Sequence, residues 1–120
     1  MAFTIIPVTE TALLIRVVGE LGNHETRELK KALQTVIYAR KCDLLVWDFH
    51  QVSFMDSSAI GLILGRIREL QVYGGTTKIL CSSPTLKKIF QFSGLSPFVS
   101  EETEDQVLEQ IGGATLWKTK

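Results

Sequence analysis

Several features are scarce in this chain of 120 residues, and each scarcity excludes a class of protein. The two cysteines, Cys42 and Cys81, lie far apart and in no CxxC pair, which indicates buried or free thiols in a reducing compartment. No apolar run approaches the ~20 residues of a membrane span. The start, "MAFTIIPVTE", lacks the charged region and long apolar core of a signal peptide. We therefore expect a cytoplasmic protein with no membrane partner.

An excess of charge of either sign is also missing. Thirteen Lys and Arg residues balance thirteen Asp and Glu residues, and the basic ones are scattered pairs such as Lys30-Lys31, Arg40-Lys41 and Lys87-Lys88. A balanced, scattered pattern gives no field that attracts nucleic acid, so we predict no nucleic-acid partner. The composition, 45% hydrophobic and 22% charged, is that of a globular protein. We predict one domain at residues 1–112 and a C-terminal tail at 113–120.

The sequence also lacks the parts of a catalytic or metal site. His24 and His50 have no second ligand at metal spacing, and there is neither a GxSxG elbow nor a GxxxxGK[ST] loop. A phosphoaspartate site at Asp48 would need acidic residues near the first strand, where only Glu10 is present. We therefore predict no catalytic residue, no bound metal and no cofactor.

What the sequence does contain is an alternation of strand-like and helical segments. Strands are predicted at 3–8, 11–19, 42–49, within "TTKILCS" and within "PFVS". Helices are predicted from near His24 to Arg40-Lys41, over 57–73, after Ser83 and after Thr103. The order ββαβαβαβα predicts an α/β fold, a single domain with a central mixed β-sheet and helices packed on it.

Local signals mark the ends of these helices. Asn23 and Ser83 are predicted N-caps, and Thr103 with Gln106 has the spacing of a capping box. Gly94 stands where a left-handed C-cap is expected.

The segment "VSFMDSSAIGLILGRI", residues 52 to 67, places three polar residues where a strand gives way to a helix. A serine here is a preferred N-cap, which contributes about 1 kcal/mol. A cap needs one such residue, however, and the carboxyl ends of strands are where open α/β sheets form functional crevices. A phosphate on Ser57 or Ser58 would lie near the free N–H groups of the helix, although Asp56 would repel it. Both readings, cap and modification target, therefore stay open.

The same helix has a leucine, Leu62, that is predicted to fall off the core stripe. It shares a side with Ala59, Arg66 and Glu69. A single exposed leucine is ordinary, but beside a modifiable serine it could form the apolar edge of a docking surface.

Three segments together resemble the anti-sigma factor antagonist family with its STAS domain, most closely its sporulation members. They are "GELGNHETRELKKAL", "LLVWDFHQVSFMDSSAIGLILGRIRELQVYGG" and "SPTLKKIFQFSGL". The resemblance covers about residues 3 to 111. It implies a protein without catalytic activity whose unphosphorylated form binds a nucleotide-bound anti-sigma factor serine kinase and releases the sigma factor.

The resemblance also assigns roles within the motif. It implies that the kinase phosphorylates the first serine, Ser57, and that a PP2C-type serine phosphatase restores the active form. Ser58 would then be the neighbouring cap. The chain departs from the family pattern at Ala59, where glycine is frequent, and at Gly22, where aspartate is common.

From these considerations we predict one partner-binding face and one alternative to it. The face comprises Gly22, Asn23, Asp56, Ser57, Ser58, Gly61, Leu62, Ser93, Gly94 and Leu95. The alternative is a non-switching STAS interaction module in a larger signalling assembly, in which the serines only cap the helix.

Overall fold

The computed structural model describes residues 2–39 and 42–111, which form a five-stranded sheet with four helices. The strands are β1 (Ala2–Pro7), β2 (Ala12–Leu21), β3 (Leu44–Met55), β4 (Thr76–Leu80) and β5 (Val99–Ser100). The helices are α1 (Asn23–Ala39), α2 (Ser57–Gln71), α3 (Pro84–Phe92) and α4 (Glu104–Ile111). This order confirms the predicted α/β fold. Arg40, Lys41 and the tail at 113–120 lie outside the described residues.

The sheet is mixed, as predicted. Its strands lie side by side in the order β1-β2-β3-β4-β5; β1 is antiparallel to β2 and each later pair is parallel. Pro7 lies in β1, at the edge of the sheet, where its missing N–H interrupts no ladder between two strands. Among the described residues no helix is both long and apolar enough to cross a membrane.

Alternating side chains on the central strands divide the core between two faces of the sheet. Leu13 and Ile15 of β2 point to the face covered by α1, α2 and α3. Leu14 of β2 and Val46 of β3 point to the opposite face, which α4 covers with Val107. β3 is therefore buried on both sides, which explains its nearly continuous apolar run over residues 44–49.

Three aromatic side chains form the centre of the larger core. Trp47, Phe49 and Phe90 are fully buried. The ring centroids of Trp47 and Phe49 are 5.8 Å apart, and those of Phe49 and Phe90 are 6.1 Å apart with nearly parallel planes. The stacking of Phe49 against Phe90 fixes α3 on the sheet.

β3 and the segment around β5 differ most from their predicted bounds. β3 was predicted to end at residue 49 but continues to Met55, because its last residues pair with β2 through Glu20↔Phe54 and Leu21↔Met55. Phe54 is half exposed in this extension, which therefore lacks the continuous apolar run that indicates a buried strand. The "PFVS" segment forms a 3₁₀ turn over Ser96–Phe98 followed by the two-residue strand β5.

Three of the four predicted helix ends are confirmed. Ser83 accepts a hydrogen bond from the Leu86 N–H at 3.3 Å, and Thr103 and Gln106 cap each other reciprocally. Gly94 adopts φ +77°, a conformation that favours glycine.

The prediction that Asn23 caps α1 is wrong by one residue. The helix begins at Asn23 itself, and the Gly22 carbonyl accepts its first hydrogen bond, from the Thr26 N–H at 2.9 Å. Glu25 accepts a hydrogen bond from the Gly22 N–H at 3.0 Å, so a side chain inside the helix reaches back to its start.

An ion pair holds α4 against the sheet. Arg16 of β2 donates two hydrogen bonds to the Glu104 carboxylate, at 2.8 and 2.7 Å. Asp48 of β3 is buried beside this pair. Burial raises the pKa of Asp48 to about 6, helped by the Glu104 carboxylate, whereas the Arg16 guanidinium lowers the pKa of Glu104 to about 2.

Asp48 makes the stability of the fold dependent on pH. The unfolded chain loses this proton near the ordinary pKa of 3.8, whereas the folded chain keeps it to about 6, so the free energy of unfolding falls across that window as pH rises. Asp48→Asn removes this titration, so its free energy of unfolding should rise relative to that of wild type by up to about 3 kcal/mol between about pH 4 and about pH 6. Urea unfolding at steps across this window measures the difference; a constant gap between the two proteins contradicts the prediction.

The aromatic core gives a second prediction, with a matched control on the same helix. Phe90 is 0% exposed and Phe92 is 88% exposed. Phe90→Ala should lower the free energy of unfolding by about 3–5 kcal/mol because it leaves a cavity, whereas Phe92→Ala should change it by less than about 0.5 kcal/mol. Urea denaturation followed by Trp fluorescence compares the two. Equal effects would show that the stacked pair does not hold α3.

Candidate functional site

The predicted site lies at the carboxyl edge of the sheet, where β2 and β3 end side by side. The Asp56 N–H donates to the Leu21 carbonyl at 3.4 Å and so joins the two chain ends. A Cβ on Gly22 would lie 3.8 Å from Asp56 Oδ2. The β2–α1 and β3–α2 junctions therefore form one continuous surface, as expected for neighbouring parallel strands.

Asp56, and neither serine, is the N-cap of α2. Its backbone is extended, its carboxylate accepts a hydrogen bond from the Ser58 N–H at 3.0 Å, and its carbonyl accepts one from the Ala59 N–H at 3.2 Å. The Ser58 hydroxyl donates to the same carboxylate, which lowers the pKa of Asp56 below its ordinary value. This corrects the interpretation of Ser58 as the cap: Ser58 is a donor to the cap.

The two serines consequently differ in chemical availability. Ser57 is the first residue of α2 and is exposed, and within the described part of the chain its hydroxyl makes no hydrogen bond. The Ser58 side chain is half-buried and already engaged with Asp56. Of the pair, Ser57 offers the free hydroxyl.

Gly22 leaves little room for a side chain in the neighbouring loop. An added Cβ would lie 3.0 Å from Glu25 Oε1, so that carboxylate would have to move. An aspartate here would also bring a third carboxylate close to Glu25 and Asp56. Glycine at this position therefore leaves room for the Glu25 carboxylate to accept its hydrogen bond from the Gly22 N–H.

Leu62 does not lie off the core, and that prediction is wrong. Its side chain is 6% exposed and belongs to the larger core cluster. The reason is that α1 packs against this side of α2, which a helical projection of α2 alone does not show. Gly61, in contrast, is exposed, with no atom within 4 Å of where its Cβ would be.

The turn after α3 is not shown to join this surface. The Leu95 side chain is fully buried, and the Ser93 hydroxyl donates to the Ile89 carbonyl of its own helix at 2.8 Å. The chain then enters β5, which pairs in parallel with the last two residues of β4. That Ser93, Gly94 and Leu95 belong to the partner-binding face stays a prediction.

A cleft between α1 and α2, lined in part by Ser58, was not predicted. Its volume is about 310 Å³. Residues from one face of each helix line it: Asn23, Thr26, Arg27, Lys30, Ser58, Gly61, Leu62, Gly65 and Arg66. The helical spacing of these positions was visible in the sequence, but the pairing of α1 with α2 was not.

Comparison with known proteins decides the family. The STAS domain family model matches residues 4–109. This chain belongs to the STAS domain family. The STAS domain is 39% identical over 113 residues to an anti-sigma F factor antagonist of Lysinibacillus sphaericus, covering 94% of this chain and 97% of the relative.

Solved structures place this STAS domain among the anti-sigma factor antagonists. It superposes on unphosphorylated SpoIIAA with a TM-score of 0.86 and 40% identity, covering 94% of this chain and 98% of that one. The phosphorylated form of the Bacillus cell-fate determinant SpoIIAA matches with a TM-score of 0.80 and 40% identity, covering 92% and 99%. These relatives are named as antagonists, which are regulatory proteins and not enzymes.

The cap assignment predicts how this STAS domain responds to substitution at Asp56. Asp56→Ala should lower the urea midpoint of unfolding, because the Ser58 N–H and hydroxyl lose their acceptor, whereas Asp56→Asn should retain most of the midpoint because asparagine also caps.

The charge of Asp56 adds a pH signature to this comparison. Its pKa in the fold lies below the ordinary 3.8, so any advantage of wild type over Asp56→Asn is complete above that value and is lost as pH falls through the lowered pKa. Equal midpoints for the Ala and Asn variants at neutral pH would contradict the assignment of the cap.

Proposed function

We propose that the protein is an antagonist switched by phosphorylation. Unphosphorylated, it binds a nucleotide-bound anti-sigma factor that is also a serine kinase, and binding releases the sporulation sigma factor. The kinase inactivates the antagonist by phosphorylating Ser57, and a PP2C-type serine phosphatase restores it. The names of its relatives, anti-sigma F factor antagonist and SpoIIAA in unphosphorylated and phosphorylated forms, support this proposal.

The observation that supports Ser57 as the acceptor is its free, exposed hydroxyl. Phosphoryl transfer needs a hydroxyl that can be aligned with the terminal phosphate of the nucleotide and give up its proton. Ser57 can be aligned without breaking an existing bond in the described structure. Ser58 would first have to leave the Asp56 carboxylate and would weaken the helix cap.

The charge at this position explains how modification could end binding. A phosphate adds about −1.5 to −2 charges at neutral pH. It would lie next to Asp56, whose lowered pKa keeps it ionised. Burying such a charge against a partner without compensation costs several kcal/mol, and each 1.4 kcal/mol is a tenfold loss of affinity.

The fold itself should survive the modification. Ser57 is exposed at the amino end of a 15-residue helix, where the macrodipole favours an anion. The same exposure would give a phosphatase access to the phosphoserine. The switch is therefore local: it changes one surface and leaves the core as it is.

The proposed binding surface, here called the docking face, keeps the residues that were predicted from the sequence. Its described centre comprises Gly22, Asn23, Asp56, Ser57, Ser58 and Gly61, with the buried Leu62 lining the adjoining cleft, and Ser93, Gly94 and Leu95 belong to it as a prediction.

Two serine variants test the proposal directly. After incubation with the cognate anti-sigma kinase and ATP, intact-mass and peptide mapping should find one phosphate on Ser57 in wild type and in Ser58→Ala, and none in Ser57→Ala. Ser57→Ala should keep its affinity for the kinase–ADP complex, because a free hydroxyl that bonds nothing is not needed for folding.

Other results point to the alternative. If an active kinase that binds the chain adds no phosphate, the protein is a non-switching STAS interaction module. Phosphate on Ser58 instead of Ser57 would refute the assignment of the acceptor. Equal affinity of phosphorylated and unmodified protein for the kinase–ADP complex would refute the switch.

A further inference from the structure

The cleft between α1 and α2 is positively charged. Three of its lining side chains are basic, Arg27, Lys30 and Arg66, and no described lining residue is acidic. The chain as a whole has no net charge, so this concentration of one sign is local. Because Ser58 and Gly61 also line the cleft, it is continuous with the docking face.

Arg66 is a buried cation with unpartnered hydrogen-bond donors in the described structure. The residue is 8% exposed; its Nη2 donates to Glu69 at 3.3 Å, while Nε and Nη1 have no partner among the described residues. The buried Thr26 hydroxyl, across the cleft on α1, likewise has no partner in the described structure. Buried donors without acceptors are costly, and a charged guanidinium N–H makes a strong hydrogen bond to a carboxylate.

The shape of α2 allows a second chain to come close. Gly61 and Gly65 lie one turn apart on the cleft wall, and neither has any atom within 4 Å of where a Cβ would be. A partner backbone can therefore approach the helix here without a clash. Gly61 is also one turn from Ser57, so this wall is within reach of a protein that contacts Ser57.

We infer that the cleft receives an acidic side chain, Asp or Glu, of the anti-sigma factor partner. This inference rests on the proposed function. The partner's carboxylate accepts hydrogen bonds from Arg66, and Arg27 and Lys30 at the mouth of the cleft attract it. A single carboxylate suits the site better than a phosphate dianion, because the ionised Asp56 borders the same surface.

Adjacent lysines on α1 provide a matched test. Lys30 lines the cleft, whereas Lys31 is exposed and does not line it, so Lys30→Glu and Lys31→Glu make the same charge change one residue apart. Arg27→Glu and the exposed Arg68→Glu form a second pair. Binding to the cognate kinase–ADP complex is measured by titration calorimetry at low and high salt, after circular dichroism has shown that each variant is folded.

The expected result is a loss confined to the cleft variants. Lys30→Glu and Arg27→Glu should each weaken binding by about tenfold or more, and Lys31→Glu and Arg68→Glu by less than about twofold. Wild-type affinity should fall more steeply with salt than that of Lys30→Glu, because the variant has lost the attraction that salt screens. Mass mapping should still find Ser57 as the acceptor in every variant.

Three results would overturn the inference. Equal weakening within each pair would mean that the partner responds to the overall charge of the protein and not to the cleft. Unchanged binding of Lys30→Glu would place the cleft outside the interface. If inorganic phosphate shifts the Gly61 and Gly65 amide signals while Lys30→Glu binds the kinase normally, the cleft is a small-anion site instead. The proposed function stands in all three cases, since wild type still binds and is phosphorylated; a wild type that fails to bind the kinase refutes both.

Discussion

The parallel pairing of β2 with β3 is the constraint on which the rest of the structure depends. It runs from Ala12↔Leu44 to Leu21↔Met55 and brings the two strands to an end at the same level. Each strand then gives way almost at once to a helix, so α1 and α2 begin side by side. The contact of Asp56 with Leu21 and the cleft between the two helices both follow from this arrangement. Without the extension of β3 beyond residue 49, the serines would not reach the β2–α1 loop.

Within that arrangement, the three consecutive polar residues at the start of α2, Asp56, Ser57 and Ser58, have different roles. The orphan N–H groups of a helix start need an acceptor, and Asp56 supplies it with a carboxylate that also binds the Ser58 hydroxyl. The Ser57 side chain is therefore not needed as a cap of the helix. A residue that stabilises nothing can be modified without loss of the fold, which is what a reversible chemical switch requires.

How far the sequence could predict these features depends on how local their causes are. Ser83, Gly94 and the Thr103–Gln106 pair act within one turn of chain, and all three were predicted and observed. The cap at Asp56 was missed because three residues capable of capping stand in a row and only geometry selects among them. Leu62 was misplaced because its burial depends on α1, and the cleft was missed for the same reason. The family resemblance implies that Ser57 is the acceptor, and the structure shows how the two serines differ in hydrogen bonding and exposure.

The ion pair between Arg16 and Glu104 joins residues 88 positions apart, so it can form only late in synthesis of the chain. The face of the sheet formed by Leu14, Val46 and Leu80 is covered by α4, the last helix of the described chain. While the chain is being made, that apolar face is open until residues 104–111 emerge from the ribosome, whereas the other face can already bury α1, α2 and α3. Folding during translation therefore passes through a half-covered sheet whose exposed side can meet chaperones or other nascent chains. Chain termination before Glu104 would leave that intermediate as the final product.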